Sequence, residues 1–509
     1  AASIPYFSSV VIIILTLMDP MTQKKRDIWS NPLLRSKIKS PDVKPPEMLI
    51  GYFIGPFGAL LASGIFTGML QKYLTDVLKL DLNFLTGLQL VSTILIVIAN
   101  LVVGQLIERT KTMAGKARPW ILLSALTLSV ASVLMFVVPF ENKIARMVWI
   151  GIAYNAYYAI AFPIYNTANA TLIPVSTRNS QQRSGLASVS NVAGLGVMGV
   201  GSMAFPVLAS MVLGENQGLW FVAMLAVAVF TALTAFLQFQ FTRERVTEEG
   251  LHSAQAETKP SVSIGKQLKA VASEKMWWLI ILFYIGFQWS GALKNGSMAF
   301  FCQWVLDNSV FGGMVENVAD AWGMSQSLLA ILGAIPMALA AVAVVPLANK
   351  FGKRTVAFLG MVLGVGGGVI AGLGGSNIIP VAVGVALKCL GSAPACYLIL
   401  AMLADVIDHI EFKTGLRTDG LTMSVYSALM VAGTPICNAI FSAVLSVFGY
   451  NQDAAAQGVP QTAAVQSAIS ISYIWVETVC YAVCVLMIFL WTVERNLPEE
   501  QAAITERKK

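Results

Sequence analysis

The chain has 509 residues, of which 56% are hydrophobic and 12% are charged. This balance excludes an ordinary soluble globular domain of that length. The formal net charge is +7. Because the basic residues lie mainly on polar stretches between long apolar segments, this charge indicates loops beside an anionic membrane leaflet rather than a nucleic-acid-binding surface.

The first 48 residues are predicted to form an N-terminal cytoplasmic extension. Residues Ile4 to Met18 are apolar, but the run is short for a bilayer span and no small-residue cleavage site follows it. We therefore interpret residues 1–20 as an extension without a role in function, and not as a signal peptide. A thirteenth helix is the alternative, and it would put residue 1 outside.

Twelve long apolar segments follow, each near the ~20 residues that a membrane-spanning helix needs. We predict helices over residues 49–76, 84–107, 119–140, 147–173, 185–212, 219–241, 276–305, 325–349, 355–374, 378–404, 419–449 and 468–493. With both termini cytoplasmic, 28 of the 34 Lys and Arg residues fall on the cytoplasmic side, as the positive-inside rule requires. The predicted fold class is an all-α membrane protein with twelve transmembrane helices and cytoplasmic termini.

A polar stretch divides these segments six and six. It predicts an N-terminal bundle over residues 49–241, a cytoplasmic linker over 242–275, a C-terminal bundle over 276–493 and a cytoplasmic tail over 494–509. A basic turn over residues 104–120 follows the second segment, and a similar one over 346–354 follows the eighth. This arrangement resembles the two parallel six-helix repeats of the major facilitator superfamily.

Three stretches narrow the resemblance to one family. Residues 402–420 (MLADVIDHIEFKTGLRTDG) resemble the loop between helices 10 and 11 of the glycoside–pentoside–hexuronide:cation symporters, the relatives of melibiose permease. Residues 115–120 (GKARPW) and 73–77 (YLTDV) are similar to the same family. The resemblance implies alternating-access transport of a small polar solute, such as a glycoside or a hexuronide. It also implies coupling to Na⁺ or H⁺, with no other cofactor.

Charged residues at the cytoplasmic ends of the segments are candidates for a gate. Ion pairs in such places can hold a transporter shut and break when its halves move apart. The predicted gating residues are Gly104, Arg109, Arg118, Asp405, Asp408, Lys413 and Arg417. The alternative is a solvated charged loop whose ion pairs each contribute little.

The sequence departs from the family at its cation site. The resemblance places the equivalents of the cation-site positions on the second segment at Thr93, Ile96 and Asn100, with Ala99 beside them. Hard cations need oxygen ligands, and carboxylates supply oxygen together with charge. None of these four residues is acidic, so the family's cation site cannot be transferred. The family's sugar-binding Asp residues likewise fall at Leu60 and Ala161.

Three ionisable residues remain within the predicted spans. They are Lys294 on segment 7, Lys388 on segment 10 and Glu477 on segment 12. Ionisable groups at this depth are costly and are commonly functional. Three interpretations stay open: Lys294 binds an anionic group of the substrate, Lys388 and Glu477 form a buried structural pair, or Lys294 or Glu477 carries a proton. Lys388 is a second candidate for the substrate site, with packing as the alternative.

Segment 4 supplies the other substrate candidates. Tyr158, Ala161, Tyr165 and Asn169 share one side of a regular helix, and the resemblance makes Ala161 a substrate position. Aromatic rings stack on the apolar faces of sugars while amides and hydroxyls orient them. Trp289, close to Lys294 in sequence, completes the predicted site. The alternative for the aromatic residues is helix packing.

Other classes of function receive less support from the sequence. The chain shows no phosphate-binding loop, and its two histidines, His252 and His409, fall in cytoplasmic segments, so we predict no enzyme and no metal site. The rival hypotheses are a facilitator or exchanger without a coupling cation, a transporter of amphiphilic solutes, and a non-transporting sensor or scaffold. The expected setting is the lipid bilayer of the cytoplasmic (inner) membrane, as a multi-pass monomer that binds a small-molecule solute and no nucleic acid.

Overall fold

In the computed structural model, the regular secondary structure of the described residues is helical, and the helices are joined by turns and irregular segments. The structure describes residues 34–110, 112–177, 179–252, 269–315, 318–416 and 418–507. The proposed extension over residues 1–20, most of the polar linker and the gating candidate Arg417 lie outside these ranges. Within the ranges, the structure assigns no β-strand and records one isolated bridge, between Thr112 and Gly115.

Six long helices cover the first half of the chain. They are α1 (Glu47–Leu70, extended by a π-turn at Tyr73–Val77), α2 (Leu82–Arg109), α3 (Arg118–Leu134), α4 (Lys143–Ser176), α5 (Ser180–Leu208, extended by a π-turn at Ala209–Leu213) and α6 (Gln217–Gln240). A short amphipathic helix, α7 (Arg245–His252), follows in the predicted linker. Each predicted segment of this half therefore coincides with a helix.

The second half repeats this pattern with further short helices. They are α8 (Lys275–Trp304), α9 (Trp322–Phe351), α10 (Lys353–Gly374), α11 (Ile378–Thr414), α12 (Asp419–Val447), α13 (Gln452–Ala456), α14 (Ala463–Leu490) and α15 (Val493–Arg507). Helix α15 occupies the predicted cytoplasmic tail. Within the described ranges, ten helices are long and apolar enough to cross a membrane, and α3 is among the shorter apolar helices.

The largest departure from the predicted boundaries is at the end of segment 10. The prediction ends this segment at residue 404, but α11 continues to Thr414 and is followed by Gly415, whose φ of +70° is left-handed. Charged residues ended the apolar run without ending the helix, because a helix that emerges into water tolerates them. The candidates Asp405, Asp408 and Lys413 therefore lie on the last turns of a helix rather than in a loop. Segment 3 is shorter than predicted, since α3 ends at Leu134 rather than at residue 140.

The described residues form two compact units. One contains the described parts of Ala1–Gly64, Leu95–Met198 and Trp220–Thr258, and the other those of Ile65–Ile94, Gly199–Leu219 and Lys259–Lys509. In the first unit, α1 packs closely on α6: a Cβ at Gly58 would lie 2.3 Å from the Thr231 Cα, so no larger residue fits there. In the second unit, the core is built by apolar side chains of α8, α10, α11 and α14. This second core contains the ionisable side chains considered next.

Candidate functional site

Three ionisable side chains meet inside the second unit. Lys294 of α8, Lys388 of α11 and Glu477 of α14 form what we call the charge triad. Lys388 Nζ lies 2.8 Å from Glu477 Oε2, and Lys294 Nζ lies 3.7 Å from Glu477 Oε1. The side chains of Lys388 and Glu477 are 2% and 1% exposed, whereas that of Lys294 is 16% exposed. The triad therefore combines a fully buried ion pair with a second, more accessible lysine.

Hydrogen bonds hold the buried pair in place. The Tyr481 hydroxyl donates to Glu477 Oε1 over 3.1 Å, from one turn along the same helix. Lys388 Nζ donates to the carbonyl of Ile474 over 3.2 Å, which helps to hold the ammonium group beside the Glu477 carboxylate. Buried charges are tolerated when paired and hydrogen-bonded: Glu477 Oε1 accepts a hydrogen bond from Tyr481, whereas Oε2 is compensated by its ion pair with Lys388.

A small residue on α10 makes room for Lys388. A Cβ added at Gly367 would lie 2.6 Å from both the Gly384 carbonyl oxygen and the backbone nitrogen of Lys388. The two helix backbones can therefore approach here because glycine has no side chain. This close approach places Lys388 within the bundle, where it reaches α14. The sequence interpretation of Lys388 and Glu477 as a buried pair agrees with this geometry.

The predicted aromatic face of α4 is altered by a π-turn. The helix widens at Ala156–Ala161, which changes the register that a regular helix would give. Ala161 and Tyr165 are each 1% exposed, and the Tyr165 hydroxyl donates to Gln238 of α6 over 3.2 Å. These two residues pack inside the first unit, so the expected exposure to a cavity is not seen for them.

Two other α4 candidates are more accessible. Tyr158 is half-buried, with its ring centroid 4.6 Å from that of Tyr154. Asn169 is also half-buried and accepts a hydrogen bond from Gln238 Nε2 over 2.7 Å. Gln238 thus joins α6 to two of the predicted residues, a link that spacing within α4 could not reveal. A substrate role for the α4 residues stays a prediction.

Trp289 packs against α12 rather than beside Lys294. Its indole nitrogen donates to the Leu429 carbonyl over 3.0 Å, and the ring covers Gly433. Trp289 precedes Lys294 by more than one helical turn, so the two side chains leave α8 in different directions. Its predicted contact with substrate therefore stays untested.

On α2, the polar side chains at the positions of the family's cation site donate hydrogen bonds to carbonyls of their own helix. Thr93 Oγ1 donates to the Gln89 carbonyl and Asn100 Nδ2 donates to the Ile96 carbonyl, each over 2.8 Å. Ile96 is buried and apolar. Within the described ranges, no group of three or more His, Cys, Asp or Glu residues is arranged to hold a metal ion.

One gating candidate of the first unit, Arg118, belongs to a set of contacts at the start of α3. Glu244, just after α6, accepts hydrogen bonds from the backbone nitrogens of Lys116, Ala117 and Arg118 over 2.6–2.8 Å. A carboxylate is favoured there by the unpaired N–H groups and the dipole of the helix. Gly115, with φ +115°, leaves space for it. We call this arrangement the α3 brace.

Arg118 completes the α3 brace. Its guanidinium donates to the Phe239 carbonyl over 2.9 and 3.1 Å and lies 4.7 Å from the centroid of the Phe239 ring. By contrast, Arg109 is exposed at the end of α2, and Gly104 has open space beside it. Nearby, the hydrogen bonds that Arg243 donates to Glu248 raise the pKa of Arg243. Arg118 therefore ties α3 to α6, and its gating role stays a prediction.

An equivalent brace, absent from our sequence predictions, begins α10. Glu494 accepts from the backbone nitrogens of Lys353 and Arg354 over 2.6 and 2.8 Å. Arg354 donates to the carbonyls of Ile488 and Phe489. Gly352, with φ +88°, occupies the place of Gly115. The signal was present, since Thr-x-Glu-Arg occurs at residues 242–245 and again at 492–495.

The remaining gating candidates join parts of the second unit to one another. Lys353 Nζ contacts both carboxylate oxygens of Asp405 over 2.7 and 2.8 Å. Lys413 Nζ contacts Glu274 over 3.0 Å, and Asp408 accepts from Gln501 of α15 over 2.9 Å. These pairs tie α11 to its neighbours in the same unit, and a gating role remains a prediction.

A polar cluster lies at the opposite ends of the helices, also within the second unit. Lys72 pairs with Asp76 over 2.6 Å and donates to Gln303 of α8. Asp76 accepts from the Tyr450 hydroxyl over 2.9 Å. Lys72 and Asp76 are each 7% exposed. This outer cluster therefore joins the end of the α1 region to α8 and to the chain after α12.

Comparison with known proteins agrees with these observations. The model of the family described as MFS/sugar transport protein matches residues 51–495. An isoprimeverose transporter of Lactiplantibacillus pentosus is 28% identical over 468 residues, covering 90% of each chain. A glucuronide carrier protein homolog of Escherichia coli (strain K12) is 22% identical, covering 79% of this chain and 84% of its own.

The fold is also that of a solved transporter. A bacterial homologue of the human lysosomal transporter Spinster superposes with a TM-score of 0.61 at 12% identity, covering 90% of this chain and 99% of its own. At this identity the likeness concerns the fold alone. The match to the family model, by contrast, extends over most of the chain. The chain therefore belongs to the MFS/sugar transport protein family and is a multi-pass membrane transporter of small solutes rather than an enzyme.

Proposed function

We propose that the protein transports a small sugar or glycoside by alternating access, as an ion-coupled symporter. The observation that carries the proposal is the match to an isoprimeverose transporter over 90% of both chains. A similarity of this extent covers the predicted bundles, so it supports a shared mode of action and not a shared fragment. The substrate class proposed first is therefore a pentose-containing glycoside.

The coupling ion needs a different site from the one the family resemblance implies. Thr93, Ile96 and Asn100 offer no carboxylate to Na⁺, and the two polar side chains bond to their own helix. We propose a proton ahead of Na⁺ as the coupling ion, because a proton needs one ionisable group in the membrane whereas Na⁺ needs several oxygen ligands. A facilitator or exchanger without a coupling ion is the second candidate, and the same residues favour it.

The proposed setting follows the charge distribution. We place the chain in the cytoplasmic membrane as a monomer, with twelve spans, both ends inside and two six-helix bundles over residues 49–241 and 276–493. In this orientation the outer cluster of Lys72 and Asp76 faces the exterior, and the two braces and the α11 ion pairs face the cytoplasm.

Gradient-driven uptake in proteoliposomes tests this proposal. Labelled isoprimeverose is offered under an inward proton gradient, an inward sodium gradient, or neither, with protein-free liposomes as the control. Accumulation above equilibrium under the proton gradient is expected. Accumulation under sodium alone would contradict the proposed ion, and equilibration without accumulation would support the facilitator. A rate equal to that of protein-free liposomes for isoprimeverose and other glycosides would contradict transport.

A further inference from the structure

A short segment ahead of α1, which we call the entry segment (residues 34–42), is fixed to the end of α6 in the first unit. The backbone nitrogen of Lys37 donates to the Gln240 carbonyl over 2.8 Å. Arg243 and Arg245, just after α6, donate to the carbonyls of residues 39, 40 and 42 over 2.8–3.3 Å. The position of the entry segment is therefore set by its backbone rather than by its own charged side chains.

The entry segment forms one wall of a surface cavity. The other walls come from the turn between α2 and α3 and from the start of α7. The cavity has a volume of about 270 Å³. A water molecule takes up about 30 Å³ of liquid water, so a group of the size of a phosphate has room. The charged residues that line the cavity are Arg35, Lys39, Arg118, Arg243 and Glu248, and its wall is therefore predominantly positive.

Two of these four cations are already compensated. Arg243 pairs with Glu248 over 2.8 Å, and Arg118 belongs to the α3 brace, which contains a carboxylate of its own. Arg35 and Lys39, by contrast, are exposed, and neither pairs with a carboxylate in the part of the chain that the structure describes. These two side chains supply the free positive charge of the cavity.

Apolar side chains line the same cavity. Leu34 and Ile38 each directly precede one of the two free cations, and Met113 of the α2–α3 turn is 65% exposed. A soluble anion such as phosphate gains nothing from these side chains. A phospholipid carries acyl chains next to its phosphate, and its binding strengthens with both buried apolar area and electrostatic attraction. The combination of free cations and apolar surface therefore favours a lipid over a soluble anion.

From these observations we infer that the cavity binds the headgroup of an anionic phospholipid. Its phosphate accepts charge-assisted hydrogen bonds from Arg35 and Lys39, and the apolar side chains contact the glycerol and the first carbons of the acyl chains. In the proposed orientation the cavity faces the cytoplasmic leaflet, whose surface is anionic. Because Arg118 also lines the cavity, a bound lipid adds a contact to the α3 brace. The inference goes beyond the proposed transport and does not depend on which sugar is moved.

The test compares lipids of different headgroup charge on the purified full-length protein. Native mass spectrometry measures retention of dioleoylphosphatidylglycerol, with dioleoylphosphatidylcholine as the zwitterionic control. The wild type should retain the anionic lipid at about tenfold lower concentration, because each Lys or Arg beside an anionic headgroup strengthens binding. Arg35→Gln with Lys39→Gln should lose most of this preference. Lys37→Gln with Lys44→Gln removes the same charge from nearby exposed lysines outside the cavity and should keep it.

A charge-preserving variant keeps the test informative if neutralising the segment impairs folding. Arg35→Lys with Lys39→Arg should retain the preference for the anionic lipid. Equal retention of the two lipids by the wild type, or equal losses in the two glutamine variants, would overturn the inference. Displacement of the lipid by inorganic phosphate, but not by chloride at equal ionic strength, would assign the cavity to a soluble anion instead. None of these readouts requires transport, so failure of the proposed function would leave them unchanged.

Discussion

Replacing Glu477 by Gln tests whether the charge triad stabilises the second unit as an ion pair. The substitution keeps the shape and an acceptor for the Tyr481 hydroxyl but removes the negative charge. At an effective dielectric of about 20, the attractions lost at 2.8 and 3.7 Å are about 6 and about 4 kcal/mol. The desolvation that the carboxylate no longer incurs offsets much of this, and removal of one partner of a buried pair typically costs about 3–5 kcal/mol.

The assay is thermal unfolding of the purified protein in detergent. Glu477→Gln should lower the apparent Tm clearly, whereas Glu215→Gln, at an exposed loop position, should not. The double variant Glu477→Gln with Lys388→Gln should recover part of the loss, because it no longer leaves Lys388 as an unpaired buried charge. A Glu477→Gln variant as stable as the wild type, or a double variant less stable than the single one, would refute the reasoning.

Two further predictions concern the helix contacts. Glu244→Gln and Glu494→Gln should each destabilise the protein by about 1–3 kcal/mol, because charge-assisted hydrogen bonds to backbone N–H groups are lost. We expect both variants to lower the Tm by similar amounts. A lower Tm in one variant alone would contradict the equivalence of the two braces. Gly367→Ala should cost about 1–3 kcal/mol because its Cβ would lie 2.6 Å from two backbone atoms of α11, whereas Gly366→Ala, with open space at its Cβ, should be tolerated. Equal Tm values for these two alanine variants would show that the α10–α11 approach is not tight.

The sequence located the helices because each is an apolar run of sufficient length. It was less informative where the apolar run and the helix end at different places, as at the end of α11, whose last turns are charged. The π-turn at Ala156–Ala161 similarly could not be read from composition, and it explains why spacing did not anticipate the packing of Tyr165 against α6.

The charge triad, too, was only partly predictable from the sequence. Sequence alone identified Lys294, Lys388 and Glu477 as the ionisable groups within the spans, because charges in apolar segments are rare. It left three interpretations open, since the choice depends on distances between helices that are far apart in the chain. The 2.8 and 3.7 Å separations distinguish the two lysines. The α10 brace, in contrast, was detectable from the repeated Thr-x-Glu-Arg motif.

Counter-flow is the most direct test of the claim that this chain moves sugars. Proteoliposomes preloaded with unlabelled isoprimeverose, or with another pentose- or hexose-containing glycoside, are diluted into medium with a trace of the same labelled sugar. The account predicts a transient accumulation of label that requires the protein and no ion gradient. If label enters no faster than in protein-free liposomes for every glycoside offered, the assignment of this chain as a sugar transporter is contradicted.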